Sequence, residues 1–293
     1  MLTTTNKNKM VSYFGVDFFD KIQYSLSYYA KLWELFGFEH IDYYSVNCLF
    51  TCRSSEHGAC VLKISNDAKS VENEFHILKE YRDTRFCKVY EVDLSNGVLL
   101  LEHINPGMQL RAEPNLDKRL DLFCEVFNGL HLTPADKMIY PTYMGWVSRI
   151  SEYMRRCKNE VLAHKMIRAE QICHILCEKY SGELLLHGDL HHDNILLGKD
   201  NCYRIIDPKG VVGDRVFDIP RFILNEFDDV LSYDFDGKFR HIIHTFSEKL
   251  CISEKDICHL VYVEMCMAQC WHVEDGQDPD INKILFVEKM LND

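Results

Sequence analysis

HGDLHHDN, residues 187–194, and IDPKG, residues 206–210, are the stretches from which the rest of the chain is read. In the first, Asn194 follows Asp189 by five positions, and Asp207 stands thirteen positions further on. Phosphoryl transfer asks for such a set: one carboxylate to orient an attacking hydroxyl, and an amide oxygen with a second carboxylate to hold Mg²⁺ on nucleotide phosphates. Residues 195–197 and 203–206 are short apolar runs separated by GKDN, the pattern of a hairpin, which carries Asp207 at its end and lets the three groups converge. Pro208 is expected to push Asp207 toward extended backbone, and Gly210 to permit a sharp turn. His187 reads as a brace for the loop backbone. His191 and His192 are adjacent, so they point opposite ways on an extended loop, and no further ligands are spaced nearby; a zinc site is not expected.

Upstream, Lys63 sits in VLKIS (61–65), an apolar strand pattern where a lone lysine needs a reason. Glu74 opens the helical run EFHILKEY and is preferred over Glu72 as its partner; a strand lysine held by a helix glutamate is the kinase arrangement for gripping the α- and β-phosphates. The interval from Asp189 to Asn194 also matches the protein-kinase template. LLLEHI (99–104) runs into the break at Asn105, Pro106 and Gly107, so Glu102, His103 and Ile104 are read as a hinge whose backbone bonds an adenine edge.

Around these residues the apolar period changes twice. Residues 17–37 repeat at three and four positions and end at Gly37, which predicts an amphipathic helix. Residues 45–54, 58–65, 88–94 and 97–104 predict strands, with a helix over 69–82. From residue 116 onward the pattern is mostly helical, over 116–132, 143–180, 217–225, 234–250 and 254–272. The fold class expected is α+β and bilobal, protein-kinase-like. Residues 1–104 form a nucleotide-binding lobe with an antiparallel sheet, and 105–293 a mainly helical lobe carrying the catalytic loop and the acceptor site.

Bulk composition narrows the function classes. The 293 residues carry a formal net charge of −12, which argues against a nucleic-acid partner and suits a cationic small molecule. No apolar run is long enough to span a bilayer and the polar N-terminus lacks a secretory pattern, so a cytoplasmic protein, monomer or homodimer, is expected. Thirteen cysteines without a CxxC pair indicate thiols in a reducing compartment. Cys173 with Cys177, and Cys266 with Cys270, sit four apart in helical pattern, as core filling.

HGDLHHDNILL with IDPKGVVGDRVFDI (206–219) resembles the aminoglycoside phosphotransferase family, and the IDPKG form is similar to its streptomycin 6-kinase and hydroxyurea phosphotransferase branch. VLKIS, EFHILKEY, LLLEHINPG and CWHVEDG (270–276) add to the resemblance, which runs from about residue 44 to 279. It implies transfer of the γ-phosphate of ATP or GTP to a hydroxyl of an aminoglycoside such as streptomycin, and antibiotic resistance. The roles it implies are Asp189 as catalytic base, Asn194 and Asp207 on Mg²⁺, Lys63 on the phosphates, and Asp218 as a brace for the catalytic loop. The sequence departs from the pattern over 45–55, where a phosphate-covering loop would hold glycine; Ser45 stands in for it. Carboxylates for a cationic acceptor are sought among Asp214, Glu264, Glu274 and Asp275. A metabolic kinase acting on an amino alcohol, sugar or sugar amine fits the same residues. A pseudokinase module is the reading from another class, and the presence together of Lys63, Asp189, Asn194 and Asp207 argues against it.

Overall fold

The computed structural model describes residues 4–42, 46–82, 85–228 and 235–292. The chain divides into two compact units, Met1–Met108 with Leu196–Lys209, and Gln109–Ile195 with Gly210–Asp293. In the first unit, helices α1 (Thr4–Phe14) and α2 (Val16–Leu32) precede strands β1 (Leu35–His40), β2 (Asn47–Ser54) and β3 (Gly58–Ser65). Helix α3 (Ala68–Glu80), β4 (Val89–Asp93) and β5 (Val98–Glu102) follow. The five strands form one antiparallel sheet in the order β1-β2-β3-β5-β4.

Alternation along β3 does two jobs. Cys60, Leu62 and Ile64 are fully buried in a core with Phe18, Phe19, Ile22 and Tyr29 of α2 and Met10 of α1. Each such side chain contributes about 1.5–3 kcal/mol by leaving water. The pleat then turns Lys63 to the opposite face. Helix α3 packs on β3, β4 and β5, and is started by Asp67, whose carboxylate accepts hydrogen bonds from the Lys69 and Ser70 amides.

Residues 17–37 are not one helix. Helix α2 stops at Leu32, Trp33 bonds back to the Tyr29 carbonyl, and Glu34 takes a positive φ of 50° before β1 begins. Gly37, φ 69°, lies where the β1–β2 register shifts between Phe36 and Glu39, so it serves a bulge and not a helix stop. Pairing with β2 outweighs a period that, over LWELFGF, fits either element. Helix α1 was not anticipated from its polar composition.

Strand β6 (Pro106–Gln109) pairs in a small sheet with β8 (Ile195–Gly198) and β9 (Tyr203–Ile205). The Cys87 amide donates to the Ile205 carbonyl and the Ile205 amide to that of Arg85, which joins this hairpin to the body of the first unit.

The second unit holds α4 (Leu116–Phe127), α5 (Tyr143–Arg156), α6 (Glu160–Lys179), β7 (Leu184–Leu186), β10 (Val211–Gly213), α7 (Ile219–Asp228), α8 (Phe235–Leu250), α9 (Glu254–Glu274) and α10 (Ile281–Asn292). The span 143–180, expected as one helix, is two, because the Asn159 side chain caps a new start by accepting from the Leu162 amide. Helix α4 ends five residues early, at Phe127, and Gly129 follows with φ 67°. Helix α9 is the hub: residues 260–267 are buried without a break, with α5, α6, α7, α8 and α10 packed around it. Among the described residues no helix is long and apolar enough to cross a membrane. All thirteen cysteines are free thiols, and the Cys173 and Cys177 sulfurs stand 4.0 Å apart on α6.

Candidate active site

Within the first unit Lys63 is 4% exposed and joins two carboxylates, at 2.6 Å to Glu74 Oε2 and 2.6 Å to Asp207 Oδ1. Burial acts to lower the Lys63 pKa, but the charges of Glu74 and Asp207 hold it above its ordinary value, so the ammonium stays charged. Burial pushes Glu74 up despite Lys63, and its Oε1 is buried without a hydrogen-bond partner. Asp207 is half-buried, which acts to raise its pKa, yet Lys63 and Lys209 pull its carboxyl down to about 2. Lys209, two residues on, donates to Asp207 Oδ2 at 2.7 Å.

Asp207 corrects an expectation. Its φ is 57°, in the left-handed region and not the extended one. Proline disfavours the right-handed helical region for the residue before it, and aspartate is among the side chains that tolerate positive φ. Two lysines fixing both carboxylate oxygens hold that conformation, which costs on the order of 1–3 kcal/mol.

The hinge residues lie at the end of β5. Glu102 exchanges bonds with Lys88, its amide donating to the Lys88 carbonyl and its carboxylate accepting from the Lys88 amide. His103 is half-buried and Ile104 buried, with Gly107 (φ 73°) so close that a Cβ there would lie 2.7 Å from the Ile104 carbonyl oxygen. Ser45 lies outside the described residues.

In the second unit β7 delivers the chain into 187–194 and β10 leads away from the neighbouring turn, the two strands pairing Leu186 with Val211. The loop is braced from several sides. Asp218, 1% exposed, accepts from the amides of His187 and Gly188 at 2.7 Å each and pairs with His131 at 2.9 Å. Burial acts to raise the Asp218 pKa, but these partners hold it below its usual range. His187 Nδ1 accepts from the Asp189 amide, and the Gly210 amide donates to the His187 carbonyl. Arg111 grips Asp193 with two nitrogens, at 2.7 and 3.0 Å. His192 is buried, stacked on Phe222 and bonded to Glu226, which also takes Arg119 and Lys238.

These braces present Asp189 and Asn194. The Asn194 amide nitrogen donates to the Asp189 carbonyl at 3.0 Å, which fixes the loop's curvature and leaves the amide oxygen as an acceptor. The Asp189 carboxylate takes Arg221 Nε at 2.6 Å. Gly188 has φ 79°, and a Cβ there would stand 2.9 Å from the Trp146 ring. Gly188→Ala is therefore expected to destabilise the fold by about 1–3 kcal/mol, seen as a lower midpoint in urea unfolding.

Of the carboxylates sought for the acceptor, Asp214 spends its oxygens on the Val216 and Gly182 amides. Glu264 is 3% exposed, accepts from Tyr143 Oη at 2.9 Å and stands 3.6 Å from Arg221. Glu274 pairs with Arg149 near the end of α9, and Asp275 is exposed beyond it. Lys209, His131 and Arg221 were not singled out from sequence. Lys209 had a signal, a lysine two residues from Asp207; the partners of His131 and Arg221 lie 87 and 32 residues away.

Residues 42–276 match the model of the aminoglycoside/hydroxyurea antibiotic resistance kinase family. The chain belongs to that family. Its relatives include the streptomycin 6-kinase of Streptomyces glaucescens, 27% identical over 32% of this chain and 31% of that protein. The streptomycin 6-kinase of Streptomyces griseus is 21% identical over 68% of this chain and 66% of that protein. The chain thus spans from about a third to just under two thirds of the length of these relatives. In fold, this family member is similar to the choline kinase LicA from Streptococcus pneumoniae, with a TM-score of 0.68 at 15% identity, covering 93% of this chain and 99% of that one.

Proposed function

We propose that the protein transfers the γ-phosphate of a nucleoside triphosphate to a hydroxyl of an aminoglycoside of the streptomycin type, and so confers resistance to it. The observation that carries the reading is Lys63 held at 2.6 Å by both Glu74 and Asp207, a buried cation whose two anions pre-position it for phosphate oxygens. Family membership and the streptomycin kinases among the relatives support the choice of acceptor.

In this reading Asp189 accepts the hydrogen bond of the acceptor hydroxyl and later its proton, and Lys63 steadies the α- and β-phosphates. Backbone groups of Glu102, His103 and Ile104 take the adenine edge. The Asp207 carboxylate and the Asn194 amide oxygen are hard oxygen donors of the kind Mg²⁺ prefers. Bound there, Mg²⁺ would neutralise charge on the transferring phosphoryl group. Glu274 and Asp275 are the carboxylates proposed to meet acceptor cations.

An acceptor panel with ATP and with GTP tests the reading, following nucleoside diphosphate release. Streptomycin-type compounds are expected to give turnover. Turnover with an amino alcohol or a sugar and none with aminoglycosides would replace the antibiotic acceptor with a metabolic one.

A further inference from the structure

Arg221 stands on α7, three residues beyond Asp218, with its guanidinium half-buried among groups from three other elements. Its Nε meets Asp189 Oδ1 at 2.6 Å, its Nη1 lies 3.6 Å from Glu264 Oε1, and its plane lies over the Trp271 ring with 5.3 Å to the centroid. Glu264 is itself anchored by Tyr143 Oη. His191 Nε2 is 3.7 Å from the same Asp189 oxygen. Four elements, α5, α7, α9 and the loop 187–194, thus contribute to one chain of contacts, Tyr143 to Glu264 to Arg221 to Asp189.

The chemistry of the arrangement is one of aim. A carboxylate on a single-bond stem rotates unless something fixes it, and a directional Nε–H from a planar guanidinium lying over an aromatic ring fixes the position of the oxygen it bonds. Glu264 is the feature that makes Arg221 more than a neighbour. Burying a glutamate is costly unless it is paired, and this one stands 3.6 Å from Nη1, a different nitrogen from the Nε that meets Asp189. Trp271 then limits rotation of the guanidinium about its own axis. A lysine would supply the charge without the fixed N–H direction or the separate nitrogen that faces Glu264.

We infer that Arg221 is a positioning residue for phosphoryl transfer, mounted on Glu264, Tyr143 and Trp271, which aims the Asp189 carboxylate at the acceptor hydroxyl. The inference rests on the proposed role of Asp189. Misaiming a reactive group by about an ångström costs roughly a hundredfold in rate, while nucleotide binding, which does not involve Arg221, is left alone.

The test uses the full chain with an acceptor that supports turnover, and compares Arg221→Ala, Arg221→Lys and Asp189→Asn. For Arg221→Ala the expected result is a fall in kcat of roughly 10–100-fold with the KM for ATP within about twofold of the parent. Added guanidinium ion, at concentrations too low to unfold the protein, is expected to restore part of that kcat, and methylammonium to restore less. Arg221→Lys is expected to fall between parent and Arg221→Ala, and it carries the test alone should the alanine variant not fold. Undiminished kcat in either arginine variant alongside an inactive Asp189→Asn overturns the inference and leaves the proposed function standing. So does a loss of kcat that guanidinium does not relieve. Full turnover by Asp189→Asn overturns the role of Asp189, and the inference falls with it.

Discussion

Asp189→Asn is expected to lower kcat by roughly 10²–10⁴-fold while leaving the protein folded and able to bind nucleotide. The amide is close in size to the carboxylate, and the loop around it is held by bonds that do not depend on that side chain's charge: Asp218 on two backbone amides, His187 on the Asp189 amide, and Arg111 on Asp193. In the proposed role, what disappears is the capacity to accept the hydroxyl proton. The measurement is steady-state kcat and KM for both substrates, with the thermal midpoint recorded in parallel. A variant that keeps its midpoint and loses kcat supports the role; one that keeps kcat removes Asp189 from the chemistry.

Lys63→Met is expected to do more damage to the fold. Lys63 stands between two carboxylates at 2.6 Å, and both Lys63 and Glu74 are almost fully buried. Taking away the cation leaves anions facing each other in a poorly solvated place, a class of change that costs about 3–5 kcal/mol. Nucleotide affinity should fall as well, which titration of ATP into the variant will read. The variant also has a distinct acid response. The Asp207 carboxyl is held down at about 2, against an ordinary value of 3.8. Its ionised form therefore contributes stability that is fully present above pH ~4 and is lost as the pH falls toward ~2. Without Lys63 the folded pKa moves up toward the ordinary value, and that part of the acid sensitivity shrinks. Urea midpoints at pH 3 and pH 7 for both proteins check it; an equal drop in both would mean that Lys63 does not set the Asp207 ionisation.

The residues proposed to carry the chemistry stand out in the sequence because their signals are short. Asp189 and Asn194 share one loop, Asp207 ends a hairpin bounded by recognisable turn residues, and a lysine inside VLKIS breaks an otherwise apolar strand. Family membership and kinase-like fold followed from the same few segments. Other features had no local signature. Helix α2 and strand β1 share an ambiguous apolar run, and only pairing with β2 decides where one ends. Arg221 looks from sequence like an ordinary helix arginine, since the groups that give it meaning come from the catalytic loop and α9. The positive φ of Asp207 runs against the preference of its own dipeptide and is set by two lysines, one of them 144 residues away.

That separation has a consequence for how the chain is made. The first unit is discontinuous: its sheet is complete by residue 102, but the hairpin that carries Asp207 follows the whole of α4, α5 and α6 in the chain. Lys63 and Glu74 must therefore pass through a period in which the second carboxylate does not yet exist, with the unit short of its last segment. Closing a contact of such range is entropically slow. A fragment ending at residue 108 would hold the whole five-stranded sheet and still lack the anion that completes its lysine, so it would remain an unfinished unit, open to capture by chaperones and proteases until translation passes residue 209.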